Sequence, residues 1–478
     1  MASDLSFLPT AVADMVENYG SNMRLALVEE LEDEHAIFVQ DGNHGEYRPL
    51  QDEFVAHGVP FVRPGNLLDG RIDLSGCDRI NEAAFQRVRK GIGKGGDIVL
   101  TTNATIGRVA ITSLDAPAFV TNPQTTVWRS TNPEILNQYY LFCFMRSLGF
   151  QEQLRMHTGR NATFDYISLT KQRSLTIPLP PLSEQKAIAS ILGALDDKIE
   201  LNRRMNATLE GMARALFQSW FVDFDPIRAK LDGRKPEGMD KATAALFPDA
   251  FQESPIGPVP KGWKVGVLDE LISFVIGGDW GASEPTEDET VSCYCIRGAD
   301  IPSLQGGGVG KMPTRFLKQS SVEKRQLMDG DLAIEISGGS PTQCTGRPVL
   351  ISDALSKSLS LPIVASNFCR IVKLKSPAFS KFVYCWLRYL YDAGSLFQFE
   401  TGTTGIKNFA FVLFCEKYPL VVPEQRIAEA FDNAVSPLFV RIQANALQSR
   451  TLATLRDTLL PKLLSGELSV ASILKVKA

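Results

Sequence analysis

The chain states one pattern twice, and that repeat limits what it can fold into more than any other feature. Gly96-Asp97-Ile98-Val99-Leu100 leads into Gly107-Arg108-Val109-Ala110-Ile111. Gly330-Asp331-Leu332-Ala333-Ile334 leads in the same way into Gly346-Arg347-Pro348-Val349-Leu350-Ile351, 234 positions further on. Pro60-Phe61-Val62-Arg63 is answered by Tyr294-Cys295-Ile296-Arg297 at the same separation. Thr158-Gly159 is answered by Thr401-Gly402 at 243, and Pro181-Leu182-Ser183-Glu184-Gln185 by Val422-Pro423-Glu424-Gln425 at 240. Solenoid repeats run to roughly 20 to 50 residues, so a period this long is a duplicated domain, here one followed each time by a helix. Two similar heads suit a target that itself has two parts.

The 478 residues are 44% hydrophobic and 22% charged, ordinary for folded soluble domains. The first twenty residues lack a basic stretch followed by an apolar one, and no apolar run approaches the roughly 18 residues of a membrane span, so the expected compartment is the cytoplasm. The eight cysteines are scattered, and the one close pair, Cys293 and Cys295, has no neighbours to complete a zinc quartet, so no metal is expected. A net charge of −4 argues against indiscriminate polyanion binding. Positive charge is local instead. Arg87, Arg89, Lys90 and Lys94 occur without an acid in 83–96, and Lys311, Arg315, Lys318, Lys324 and Arg325 face Glu323 alone in 311–325. Lys90 and Lys324 keep the 234-residue spacing, which favours two positively charged binding faces over two unrelated solvated ones.

Short β-rich runs at 58–62, 97–100, 108–112 and 125–128, broken by Gly, Asn, Asp and Pro, predict a mixed α and β unit with a helix at 133–148, matched by 380–391 in the second copy. After the prolines of 178–181 the spacing predicts a helix over 183–221 with Ser183 as N-cap. Its apolar seam is Ile188, Leu192, Leu195, Ile199, Leu209, Ala213, Leu216 and Trp220, with polar Asn202 and Asn206 on it. A second such helix begins at Pro423 and repeats Phe431, Leu438, Asn445, Leu452 and Leu459 every seven; Pro437 predicts a kink or break. Rods of this kind can hold two domains apart rather than bury themselves in either. The Asp-, Gly- and Pro-rich segment 223–259 reads as a partly ordered linker.

These residues resemble the specificity subunit of type I restriction-modification systems. The resemblance is carried by Pro180-Pro181-Leu182-Ser183-Glu184-Gln185-Lys186-Ala187-Ile188 through Leu209-Glu210, Phe217 and Trp220-Phe221-Val222-Asp223-Phe224-Asp225-Pro226. Its later counterpart is Thr451-Leu452, Leu455-Arg456-Asp457 and Leu459-Leu460-Pro461-Lys462-Leu463-Leu464-Ser465-Gly466-Glu467. Looser pieces are Pro260-Lys261-Gly262-Trp263 and Asp41-Gly42-Asn43-His44-Gly45; the first copy lacks the Pro-x-Gly-Trp entry and has Glu29-Glu30-Leu31-Glu32-Asp33-Glu34 instead.

The resemblance implies an α+β fold with pseudo-twofold duplication: two globular mixed α/β target-recognition domains separated by two long antiparallel helices, a coiled-coil strut. The expected layout is a recognition domain at 1–180, a helix at 181–222, the linker at 223–259, a second recognition domain at 260–421, a helix at 422–468 and a tail at 469–478. It implies a non-catalytic subunit that reads a bipartite, asymmetric site in double-stranded DNA, one domain per half. It would dock two copies of a DNA adenine methyltransferase and, through them, restriction and translocase subunits. No cofactor is expected on this chain; S-adenosylmethionine, ATP and Mg belong to the partners. Two domains reading one side of a duplex need a separation of about one turn, roughly 34 Å, which a paired-helix strut supplies.

Rival readings are an enzyme with its own recognition domain, catalysis on another chain, or a protein-only scaffold. Asn122-Pro123-Gln124 lacks the second proline and the aromatic of an adenine methyltransferase motif, and Asp331 with Glu335-Ile336-Ser337 has serine where a nuclease would place lysine. No Gly-x-x-x-x-Gly-Lys-Ser/Thr loop occurs. The four histidines, all in the first half, form no triad pattern. The scaffold reading ranks below DNA recognition because the basic clusters recur.

Base and phosphate contacts are expected from Asn43, His44, Arg63, Lys90, Asn103, Thr105, Arg160 and Asn161 in the first copy, and from Arg297, Lys324, Arg347, Thr404 and Lys407 in the second. Arg pairs with guanine and Asn with adenine, while the two lysines suit phosphate. Against this, Asn43 and Asn103 could serve only as left-handed turn residues, and Arg63 could pair with Asp69 or Asp73. Partner contacts are expected from Ile199, Asn202, Asn206, Trp220, Phe221, Phe224, Asn445 and Leu452. On this reading a charge at Phe221 blocks methyltransferase assembly and leaves the fold intact.

Overall fold

The computed structural model describes residues 9–158, 166–339, 343–402 and 405–468. The chain divides into two compact units, Met1–Asp197 with Leu452–Ala478, and Lys198–Thr451.

The first unit is built on a six-stranded sheet in the order Ile37–Asp41, Thr125–Ser130, Ile98–Thr101, Val109–Ile111, Arg71–Ile72, Leu67–Leu68. A five-stranded sheet adds Phe54–Val55, Asp78–Ile80, Val59–Val62, Phe119–Thr121 and Ile92–Gly93. The second unit repeats the order in shorter form. Ile272–Gly277, Cys369–Leu374, Leu332–Glu335 and Pro348–Leu350 make one sheet, and Thr314–Leu317, Val291–Ile296 and Ile363–Ala365 the other. Even the strand senses recur: Val59–Val62 runs parallel to Phe119–Thr121, as Val291–Ile296 does to Ile363–Ala365. Each unit is closed by one antiparallel ribbon, Arg24–Leu27 with Thr176–Leu179 and Lys264–Val267 with Pro419–Val422.

The glycine-aspartate echo has a local cause. Gly96 and Gly330 both sit at φ +81°, a left-handed position open to glycine, at the entrance to a fully buried strand. The aspartate that follows turns its carboxylate back on the loop: the backbone N–H of Lys94 donates to Asp97 and that of Met328 to Asp331, each at 2.8 Å. Asp97 also pairs with Arg129, at 2.5 Å, and Asp331 with Lys373, at 3.1 Å, across the neighbouring strand. One turn thus anchors the central strand of each sheet. Helices Gln138–Arg146 and Leu148–His157 cover the first sheet where one helix was expected, because Ser147 stops the first and caps the second through its side chain; Ser380–Asp392 covers the second.

The central helix is Leu182–Phe221 and the C-terminal helix Gln425–Ser465. The first begins one residue before the expected cap. Pro181 supplies the first helical acceptor, to the N–H groups of Glu184 and Gln185, and Ser183 lies inside the first turn. The C-terminal helix is unbroken across Pro437. Pro437 is exposed, and so is Asn433 four residues back, so the carbonyl freed by the missing N–H faces water rather than a core.

The ends of both helices are built into the units. Ile188, Leu192, Leu463 and Leu464 belong to the core of the first unit, and Ala213, Phe217, Trp220, Phe221, Ile427, Phe431 and Val435 to that of the second. In the first unit Asp196 binds Arg456 at 2.6 Å and the Tyr139 hydroxyl at 2.6 Å. In the second, Asn202 Nδ2 donates to Gln448 at 2.9 Å, and Asn206 Nδ2 donates to the Ile442 carbonyl at 3.1 Å while its Oδ1 accepts from Asn445 at 2.9 Å. Partner numbers fall as helix numbers rise, so the pairing is antiparallel.

Those buried amides fix register, since a slip by one turn would strand them. Asn206→Leu or Asn445→Leu alone is expected to cost about 1–3 kcal/mol by leaving its partner unpaired, and the double change to cost less than the sum. Thermal denaturation of the three variants decides it; strictly additive losses would contradict the pairing.

The segment expected as a linker is ordered. It forms helices Asp225–Leu231 and Lys241–Leu246, and it buries Ile227 and Phe247 in the core of the second unit. Its polar composition hid apolar residues spaced to reach that core.

Candidate nucleic-acid interface

Four backbone hydrogen bonds collect loops of the first unit that are far apart in sequence. The N–H of Asn43 donates to Thr121, that of Thr121 to Gly91, that of Asn122 to Val62 and that of Thr102 to Gln124. Asn43, His44, Arg63, Lys90, Asn103 and Thr105 are thereby gathered around the turn Asn122-Pro123-Gln124. Close approach depends on glycine: a Cβ on Gly42 would lie 1.9 Å from the Asn122 carbonyl oxygen, and one on Gly91 2.5 Å from the Asn43 nitrogen.

Within this cluster the residues differ in what they can offer. Asn43 is fully buried, and neither its amide nitrogen nor its oxygen has a hydrogen-bond partner. A buried amide left in that state costs about 1–3 kcal/mol. Neither Asn43 nor Asn103 has positive φ; the left-handed residues here include Gly45, Gly91 and Ala104, the last at +61°. His44 is exposed, with Nδ1 2.9 Å from the Gly42 carbonyl, which turns Nε2 outward. Arg63 pairs with Asp78 at 2.8 Å, not with Asp69 or Asp73, and lies over the rings of Phe54 and Phe61. Arg87 is occupied by Glu53, whose carboxyl it pulls down to about 2. Lys90 is exposed, and Thr105 stands exposed beside Ala104. Arg160 and Asn161 lie outside the described residues; Tyr166, just beyond them, bridges to Asn103.

The second unit repeats the frame with other side chains. The N–H of Asp279 donates to Ala365, that of Ser366 to Ile296 and that of Ile336 to Phe368, so Asp279 occupies the place of Asn43, Ser366 that of Asn122 and Phe368 that of Gln124. Gly278 repeats Gly42, with a Cβ position 2.0 Å from the Ser366 carbonyl oxygen. Asp279, unlike Asn43, is satisfied, by the Ser321 hydroxyl at 2.5 Å and the Gly281 N–H at 3.2 Å.

Three expected base readers are held internally. Arg297 binds Asp300 at 2.9 Å and the Lys311 carbonyl at 2.6 Å, Arg347 binds the Tyr391 hydroxyl at 2.6 Å, and Lys407 pairs with Glu400 at 2.8 Å. Asp300 is three residues from Arg297 and Glu400 seven from Lys407, while Tyr391 reaches Arg347 from the helix that covers the sheet. Lys324 is exposed in the last turn of helix Gln319–Arg325, and Thr404 lies outside the described residues. Glu335 is buried, and burial pushes its carboxyl above the usual range; Gly298 makes room for it, since a Cβ there would lie 2.2 Å from Oε1.

The residues expected to meet a partner do not form an open surface. Trp220 and Phe221 are each 6% exposed. Phe221 packs against Phe382, Trp263 and Phe431, with centroids 4.9 to 5.8 Å away, because the segment after the helix folds back over them. Phe224, at φ +55°, packs on Phe251 and Trp263. Asn202, Asn206 and Asn445 are taken up in the helix pair, and Ile199 and Leu452 are half-buried.

Gln124, Trp280 and Phe368, not among the expected contacts, also stand exposed at the loop tips. The signal was present but shifted: Asn122-Pro123-Gln124 and Ser366-Asn367-Phe368 are 244 apart rather than 234, and only strand pairing reveals them as equivalents. Among the described residues no group of three or more His, Cys, Asp or Glu could hold a metal ion, and no helix is long and apolar enough to cross a membrane.

Residues 43–211 match the family described as type I restriction modification DNA specificity domain, a span that contains most of the first cluster. The chain is 25% identical to the type I restriction enzyme HindI specificity subunit of Haemophilus influenzae, over 86% of this chain and 94% of that protein. It is 27% identical to the MjaIX specificity subunit of Methanocaldococcus jannaschii, over 88% and 89%. The crystal structure of a type I restriction-modification S subunit from M. genitalium aligns over 93% of this chain and 96% of that one, at 15% identity and a TM-score of 0.47.

Proposed function

We propose that this chain is a specificity subunit of a type I restriction-modification system, a non-catalytic DNA reader in which each unit reads one half of a bipartite, asymmetric site in double-stranded DNA; the specificity-domain match over 43–211 and the specificity-subunit relatives that align over most of the chain support it. The observation that carries this reading is the repeated loop frame: one backbone scaffold, built twice, presents unlike tips. His44 and Gln124 stand exposed in the first unit where Trp280 and Phe368 stand in the second. Identical tips would suit a palindrome; unlike tips suit two different half-sites. The exposed Lys90 and Lys324 would meet phosphate and set position without specifying sequence.

The repeated plan of the units also suits two copies of one partner, a DNA adenine methyltransferase subunit, with restriction and translocase subunits joined through it. S-adenosylmethionine, ATP and Mg would then act on those chains, in the cytoplasm. Mapping methylated adenines in the genome of cells that carry the whole system tests the reading. The expected result is a split motif with two unlike halves; an undivided palindrome would overturn it.

A further inference from the structure

At equivalent places the two units differ in chemistry, not only in identity. The turn Asn122-Pro123-Gln124 and the turn Ser366-Asn367-Phe368 are each closed by the same bond, from the N–H of Thr125 to Asn122 and of Cys369 to Ser366. The third residue of each accepts a backbone bond through its carbonyl, Gln124 from Thr102 and Phe368 from Ile336. Gln124 projects an amide whose Oε1 accepts from Asn122 Nδ2 at 3.1 Å and whose Nε2 is a donor. Phe368 projects a ring that can do neither, and it is 47% exposed.

The neighbouring tip follows the same substitution. His44 gives way to Trp280, which is 37% exposed, with the Arg315 guanidinium 4.4 Å from its ring centroid. Arg315 is fixed there by bonds to the carbonyls of Trp280 at 3.0 Å and Gly281 at 2.8 Å. The guanidinium lies over one face of the indole and supplies positive charge beside an apolar surface, a combination suited to a polyanion with apolar groups in its groove. An exposed phenylalanine pinned on a short turn is costly to solvate and has a fixed direction, so it suits one shaped contact rather than adaptable packing.

Resting on the reading of the units as half-site readers, we infer that the second unit recognises an A·T pair of its half-site through the thymine C5 methyl group, contacted by Phe368, where the first unit uses the hydrogen-bonding Gln124. The methyl group is the one apolar feature that distinguishes base pairs in the major groove, and it is the feature a phenyl ring can select.

The test uses the full chain with its methyltransferase partner and a duplex bearing the site found by methylation mapping, with each thymine replaced in turn by uracil. In the wild-type complex, one thymine in one half-site is expected to matter, its loss weakening binding about fourfold, the value of one buried methyl group. Phe368→Ala should bind more weakly and no longer distinguish that thymine from uracil, while Gln124→Ala keeps the distinction. If the wild-type complex does not prefer its mapped site, half-site reading itself fails. If it does prefer the site but no thymine is sensitive, or the sensitivity survives in Phe368→Ala, the methyl contact is wrong. Permanganate-reactive thymines that depend on Phe368 would show a ring inserted between bases, which also overturns it.

Discussion

Phe221→Asp should prevent the second unit from folding, not merely detach a partner. The side chain is 6% exposed and meets Trp263, Phe382 and Phe431, with Phe217 and Trp220 beside it. Truncating such a residue to alanine typically costs about 3–5 kcal/mol, comparable with the whole stability of many domains. A carboxylate in the same place adds the cost of a buried, unpaired charge. Phe221→Asp is therefore expected in the insoluble fraction or without a cooperative melt, and Phe221→Leu to fold with a lowered melting temperature. A soluble Phe221→Asp protein that melts like the parent would remove this residue from the core and restore it as a surface for assembly.

Gly42→Ala and Gly278→Ala should each damage one half of recognition. The obstacle is backbone in both cases: the added methyl would lie 1.9 Å from the Asn122 carbonyl oxygen in the first unit, and 2.0 and 2.3 Å from those of Ser366 and Ala365 in the second. Backbone cannot rotate away as a flexible side chain can, so the strand end must separate from its loop. The bond from Asn43 to Thr121, or from Asp279 to Ala365, would be lost with it. Overpacking of this kind costs about 1–3 kcal/mol in stability, which a domain can survive. The tips that read bases would be displaced. Affinity for the mapped site is expected to fall roughly tenfold or more, the value of one good base contact. Methylation mapping of each variant should show relaxed sequence preference in one half of the motif, the opposite half for the other variant. Relaxation of both halves by either change would refute the division of labour.

Recognition would have been easier to place had the repeat kept a constant step. The pairs 96 and 330, and 63 and 297, share one spacing because the strands around them do. Insertions before the turns at 122 and 366 add ten residues to it. Arg63 and Arg297 were legible as equivalents for that reason, yet their partners differ, Asp78 for one and Asp300 for the other. Gln124 and Phe368 were not legible, because their equivalence rests on which N–H each carbonyl accepts from, that of Thr102 for one and of Ile336 for the other. Trp220 and Phe221 show the reverse limit. Their aromatic content was plain, but whether aromatics at a helix end are core or surface depends on the chain that covers them.

The sequence by itself determined the duplication, the mixed α and β character of each unit, the two long helices and the asparagines that lock them. These follow from periodicity, glycine and proline, which act over a few residues and leave their mark in order along the chain. Tertiary structure alone decided that the linker joins a core, that the helix ends are built into the units, that Arg297, Arg347 and Lys407 are internally paired and that Asn43 is not. Most of those outcomes depend on contacts between segments far apart in sequence; the pairs of Arg297 with Asp300 and Lys407 with Glu400 depend instead on how a short turn folds back. Burial and partner choice are properties of the space that closes around a residue, and no local pattern encodes it.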